Sequence, residues 1–171
     1  MIAIPLGQRN SRPLPSSKPV ADTGTGAAAT VPDTSHHRAI RSFVVRAGRM
    51  TGAQERAWRE LWPALGIQND EEPLDFAAAF GRDAPVVLEI GFGNGESLVA
   101  LASNHAECNY LGLEVHPPGV GHLLLCCEAA QLHNVRVICD DAVQVLQRRV
   151  PDTSLDEVLL YFPDPWPKKR H

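Results

Sequence analysis

The chain has 171 residues, a net charge of −4 and an apolar fraction of 44%, enough for one domain with a core and against wholesale disorder. No apolar run reaches the roughly 18 residues of a membrane span, and Met1–Leu6 is too short for a secretory segment. The four cysteines (Cys108, Cys126, Cys127, Cys139) show no CxxC pair and no histidine spacing for zinc, so they read as small apolar residues of a reduced, cytoplasmic protein without a metal site.

Charge is segregated along the chain. Residues 1–59 carry nine Lys/Arg against three Asp/Glu, residues 60–147 carry two against thirteen, and residues 148–171 carry five against four. Residues 1–35 are rich in Pro, Ser, Thr, Gly and Ala without hydrophobic periodicity, the signature of a disordered leader. Residues 36–84 form a second region. It opens with HHRAIRSFVVRAGR, four arginines and two histidines with no acid, and Phe43 among them. Guanidinium forks suit phosphate oxygens, and an aromatic ring can stack on a base. A basic run can equally be a solvated face. Thr51 and Gln54 have the spacing of a capping box. Trp58, Leu61, Trp62 and Leu65 then recur at helical spacing, as core anchors more naturally than base platforms, until Pro63 strains or ends the helix. Residues 66–84 read as an acidic connector with a short apolar segment and no assigned chemistry.

From residue 85 the pattern becomes regular. PVVLEI (85–90), NYLGLEV (109–115), NVRVIC (134–139) and LDEVLLYF (155–162) read as strands. Between them SLVALAS, the run from Pro117 through GHLLLCCEAAQLH, and 142–149 read as helices. Strand and helix in alternation predict a Rossmann-like α/β core over 85–171, a parallel sheet with ligands beyond the carboxyl ends of its strands.

Four candidate segments fall at such ends. After the first strand comes Gly91-Phe92-Gly93-Asn94-Gly95, whose glycines permit a sharp turn and close approach of a ligand, although a tight turn without ligand needs no more. Its sixth position is Glu96, where a dinucleotide fingerprint wants Gly or Ala, and Glu89 adds a second acid; a pyrophosphate is disfavoured. Glu114 ends the second strand and can accept both hydroxyls of a ribose, in NAD and S-adenosylmethionine sites alike. Asp140 and Asp141 follow the third strand; one can cap the next helix, leaving an acceptor for the amine of an adenine. After the fourth strand, the prolines of Phe162-Pro163-Asp164-Pro165-Trp166 stiffen the aim of a carboxylate beside an aromatic face. Lys168, Lys169 and Arg170 follow, suited to phosphates.

EIGFGNGESLVALA, GLEVHPPGVG, DDA and YFPDPWPKKRH, with RSFVVRAGRMT at 41–51, resemble the bacterial tRNA (guanine-N7-)-methyltransferase family from about Arg38 to the last residue. The resemblance implies a methyltransferase fold, S-adenosyl-L-methionine as methyl donor, and N7 of a guanine in the tRNA variable loop as acceptor. It implies cofactor contacts by Glu89, Gly91, Gly93, Glu114 and Asp141, an active-site role for Asp164 and a tRNA contact by Lys168. It also implies that the chain, ending at His171, stops short of the strands that complete the family's sheet. A monomer or homodimer is expected. An NAD-dependent oxidoreductase, a small-molecule methyltransferase and an inactive RNA-binding fragment remain as alternatives.

Overall fold

The computed structural model describes residues 2–5, 48–68, 70 and 72–161, the first four as backbone alone. In chain order the elements are β1 (Ile2–Pro5), α1 (Gly52–Glu60), α2 (Trp62–Leu65), α3 (Phe76–Phe80), β2 (Val86–Ile90), α4 (Glu96–Asn104), β3 (Asn109–Leu113), α5 (Pro117–Ala129), β4 (Val135–Ile138), α6 (Ala142–Arg148) and β5 (Glu157–Leu160). The sheet runs β1-β5-β2-β3-β4, with β5, β2, β3 and β4 mutually parallel. The four strands expected from the apolar runs are present in the expected alternation with helices, and the Rossmann-like α/β class holds.

One element departs from the sequence reading. Ile2–Pro5 lie inside the stretch expected to be a disordered leader, yet they pair antiparallel with β5, Ile2 opposite Leu160 and Pro5 opposite Glu157. The edge of β5 presents unpaired backbone groups that accept a neighbouring strand, and a proline, lacking its N–H, is tolerated on an edge. The rest of the leader, like 36–47, lies outside the described residues.

Period-two alternation along the strands gives each face of the sheet its own core. Val87, Tyr110, Val135, Val137 and Leu159 pack under α1, α2, α4 and α5, against Ala57, Leu98, Ala102, Val120, Leu123 and Leu124. Leu88, Leu111, Leu113 and Ile138 face the other way, against Val145 of α6 and Leu74 of the connector. Glu89 shares parity with Val87 and so belongs to the α4 side.

The start of α1 is a complete capping box: Thr51 Oγ1 accepts from Gln54 N at 3.3 Å, and Gln54 Oε1 accepts from Thr51 N at 2.8 Å. Pro63 has no N–H to continue that helix; the chain turns at Leu61 and restarts as α2 with the proline in its first turn. Trp58 and Trp62 stack at 4.3 Å between centroids and pack on the core, in keeping with their reading as anchors. The connector is more structured than its composition suggests. Ile67 N donates to Val137 O at 2.8 Å, beside the edge of β4. Arg149, only 4% exposed, donates to the carbonyls of Glu72 and Gln68 and pairs with Asp70 at 2.7 Å. Arg136 holds α3 by donating to Ala79 O at 2.8 Å while its guanidinium covers the Phe80 ring.

Candidate cofactor site

The carboxyl ends of β2, β3 and β4 converge on one loop. Gly91, Gly93 and Gly95 all have positive φ, at 70°, 61° and 81°, a conformation that side chains rarely adopt. The turn is closed by Gly91 N donating to Leu113 O at 2.8 Å and Gly95 N donating to Phe92 O at 2.9 Å. Phe92 folds back over Gly112, where a Cβ would stand 2.7 Å from its ring, so the loop is pinned to the core by an aromatic anchor. Gly119, in the first turn of α5, leaves room for the carbonyl of Gly93 where a Cβ would collide with it. His122 Nδ1 reaches Asn94 O at 2.9 Å from the same helix.

Glu114 ties this loop to the end of β3. Its Oε2 accepts from Gly93 N at 2.8 Å, while Oε1 accepts from Val115 N at 2.7 Å and His116 N at 3.1 Å. An ionised carboxylate has about four acceptor positions, so these bonds fix the group's orientation without filling it. Glu89 is a different case. It is 1% exposed; Oε1 accepts from Ser97 Oγ at 2.7 Å, and Oε2 is buried without a hydrogen-bond partner. Burial pushes its carboxyl above the ordinary range, and the Ser97 hydrogen bond pulls it partly back.

Asp141 is 3% exposed and caps α6, accepting from Val143 N at 2.9 Å. The capping explanation allowed for one of the two aspartates thus falls on Asp141, the residue that the resemblance places near adenine. Asp140 Oδ1 accepts from Asp141 N at 2.6 Å. Between these strand ends sits Cys139, whose thiol is pushed up to about 11 by burial and then by the charges of Glu114 and Asp140. Tyr161, one residue beyond β5, is raised by burial and by the charge of Glu89, which brings the end of β5 to the same region. Asp164, Lys168 and the rest of the FPDPW segment, with Arg41, Phe43 and Arg46, lie outside the described residues.

Supporting residues escape a sequence reading because their partners are distant in the chain. Gln54 Nε2 donates to Pro118 O at 2.9 Å and Trp58 Nε1 to Pro117 O at 3.1 Å, so α1 grips the first turn of α5. Ser97 and Gly119 act on Glu89 and Gly93 in the same way. Their signal in the sequence is only their closeness to the glycine loop and to the GLEVHPPG run. Among the described residues no group of three or more His, Cys, Asp or Glu could hold a metal, and no helix is long and apolar enough to cross a membrane.

A family model described as "Putative methyltransferase" matches residues 83–171, from just before β2 to the last residue, and takes in the whole of this site. The chain belongs to this methyltransferase family. The tRNA (guanine-N(7)-)-methyltransferase of Alkalilimnicola ehrlichii is 59% identical over 136 residues, 78% of this chain and 57% of that protein. Proteins of the same name from Klebsiella pneumoniae and Aeromonas hydrophila are 57% identical over 134 residues and 56% identical over 139. These matches cover 78% and 81% of the chain and 56% and 59% of the two relatives. The resemblance drawn from the motifs is thereby borne out, and the chain spans a little over half the length of the curated relatives it matches.

Proposed function

We propose that this methyltransferase chain takes S-adenosyl-L-methionine as donor and methylates N7 of a guanine in the variable loop of tRNA. The observation that carries the cofactor half is the pair of carboxylates flanking the glycine loop, one with a buried, unpartnered oxygen. That arrangement suits a cationic ligand bearing ribose hydroxyls and repels a pyrophosphate; Glu96, exposed in the first turn of α4, adds to the repulsion. Glu89 would meet the cationic end, Glu114 the ribose, Gly91 and Gly93 would give backbone access, and Asp141 with its neighbour would border the adenine. When bound, the donor supplies a methyl group activated on a sulfonium.

The acceptor half follows from the named relatives and the motifs. Guanine N7 offers a lone pair and no proton, so alignment is the protein's main task and a general base has no proton to remove. Asp164 would stabilise positive charge developing on the guanine ring or hold the base by its N1–H and 2-amino group, a role that fits its stiff FPDPW setting. Lys168 and the arginines at 41, 46 and 49 would position phosphates.

Calorimetric titration with S-adenosylmethionine, with NAD as comparator, tests the cofactor half. Binding of the sulfonium ligand alone, abolished in Glu114→Ala, is expected. No binding by a chain that circular dichroism shows to be folded would overturn the assignment. Methyl transfer to tRNA set against small acceptors tests the acceptor half.

A further inference from the structure

We propose that Ser97 is a positioning residue whose hydroxyl orients Glu89 and so keeps Oε2 available for the cationic part of the methyl donor. The inference rests on the function proposed above and adds to it the residue that sets the geometry of the cofactor contact. Three observations carry it. Ser97 Oγ donates to Glu89 Oε1 at 2.7 Å, while Oε2, buried, has no partner. Buried polar atoms in folded proteins are nearly always satisfied, and an exception calls for an explanation such as a missing ligand or ion. Among the described residues Asn109 Nδ2 is another, but Glu89 Oε2 belongs to the carboxylate beside the glycine loop.

The second observation is where the hydroxyl goes. The N-cap of helix α4 is Gly95, which has no side chain to cap it, and Ser97 is the second residue of its first turn. A serine there commonly bonds to nearby backbone, yet this one reaches the strand instead. The third is that the adjacent strands offer Glu89 no side-chain partner among the described residues. In the sheet, Glu89 stands opposite Gly112 of β3 and Leu159 of β5, neither of which can bond or charge-pair with the carboxylate through a side chain. Among the described residues the titratable neighbour that feels Glu89 is Tyr161, whose phenol is raised by burial, then by Glu89 and Glu157, so it stays neutral and adds no charge near neutral pH.

The hydroxyl also acts on the proton of Glu89. Burial raises the carboxyl and the Ser97 bond lowers it. A cation prefers the ionised form, so affinity falls as pH drops through the folded pKa of Glu89. Removing the hydroxyl raises that pKa further and moves the fall to higher pH.

The experiment is calorimetric titration of the 171-residue chain and its Ser97→Ala, Ser97→Thr and Ser97→Val variants with S-adenosylmethionine, over a pH series from acid to neutral that takes in the raised Glu89 carboxyl. Ser97→Ala should weaken binding about tenfold at neutral pH, the loss implied by one hydrogen bond to a charged group, and shift the midpoint of the pH profile upward. Ser97→Thr should restore both. If Ser97→Ala fails to fold, Thr against the isosteric Val isolates the hydroxyl. A folded Ser97→Ala or Ser97→Val chain with wild-type affinity and midpoint overturns the positioning role and leaves the proposed function standing. A folded wild-type chain that binds no S-adenosylmethionine overturns both.

Discussion

Single atoms decide the shape of the glycine loop. A Cβ on Gly119 would collide with the carbonyl of Gly93, which is backbone and cannot swing aside. Gly119→Ala should therefore lower stability by about 1–3 kcal/mol, as overpacking does, and weaken S-adenosylmethionine binding by displacing the loop; denaturant melts and calorimetry report the two effects. Glu89 makes the opposite bargain. Its folded carboxyl lies above the unfolded value because burial disfavours the charge. The stability it contributes is thus present below the unfolded value, about 4.3, and lost as pH rises through the raised folded one. Glu89→Gln is expected to melt higher than wild type at neutral pH, with the advantage vanishing in acid, while ligand binding is lost; melting curves across pH check the sign. Glu89, Glu114 and the three glycines were legible because strand, turn and acid are adjacent in the chain. Ser97 and Gly119 were not, since a serine in a first turn and a glycine after two prolines have ordinary local explanations. One of the two aspartates was legible as a helix cap, and Asp141 as a cofactor residue only through the resemblance; the folded chain places the cap on Asp141.

At the scale of elements, α1 joins the region after the basic segment to the first turn of α5. Gln54 serves it twice, closing the capping box through Oε1 and donating through Nε2 to Pro118 at the start of α5. Gln54→Ala should cost about 1–2 kcal/mol, near the upper range for a lost cap, and loosen the turn after Glu114, seen as faster amide exchange at Val115 and His116. The capping box and the interruption at Pro63 could be read from spacing because both rules are local. Helix α3 could not: FAAAF is five residues long with little pattern of its own, and Arg136 reaches it from β4. Strand β1 was missed for a related reason. Four apolar residues carry no weight beside a Pro- and Ser-rich stretch until an unpaired strand edge stands ready to receive them.

Across the whole molecule, the sheet has two cores that depend on different parts of the chain. The α4 and α5 side is built by the regular strand–helix repeat together with α1 and α2, whereas the opposite side has α6 and needs the irregular connector beside it to cover Leu88, Leu111 and Ile138. Arg149 holds that cover from a buried position through two carbonyls and the Asp70 carboxylate. Arg149→Ala is expected to destabilise the chain by about 2–3 kcal/mol, since the carbonyls lose their donor, and to open residues 68–74 to proteolysis before global unfolding.

The stacked indoles of Trp58 and Trp62 have a practical use. Trp58 donates to the carbonyl of Pro117, three residues past Glu114. The chain therefore carries an intrinsic optical reporter on the Glu114 side of the glycine loop, where a ribose is proposed to sit. Its emission and its coupled near-ultraviolet dichroism should change when a nucleoside settles there, and occupancy can be followed without a dye.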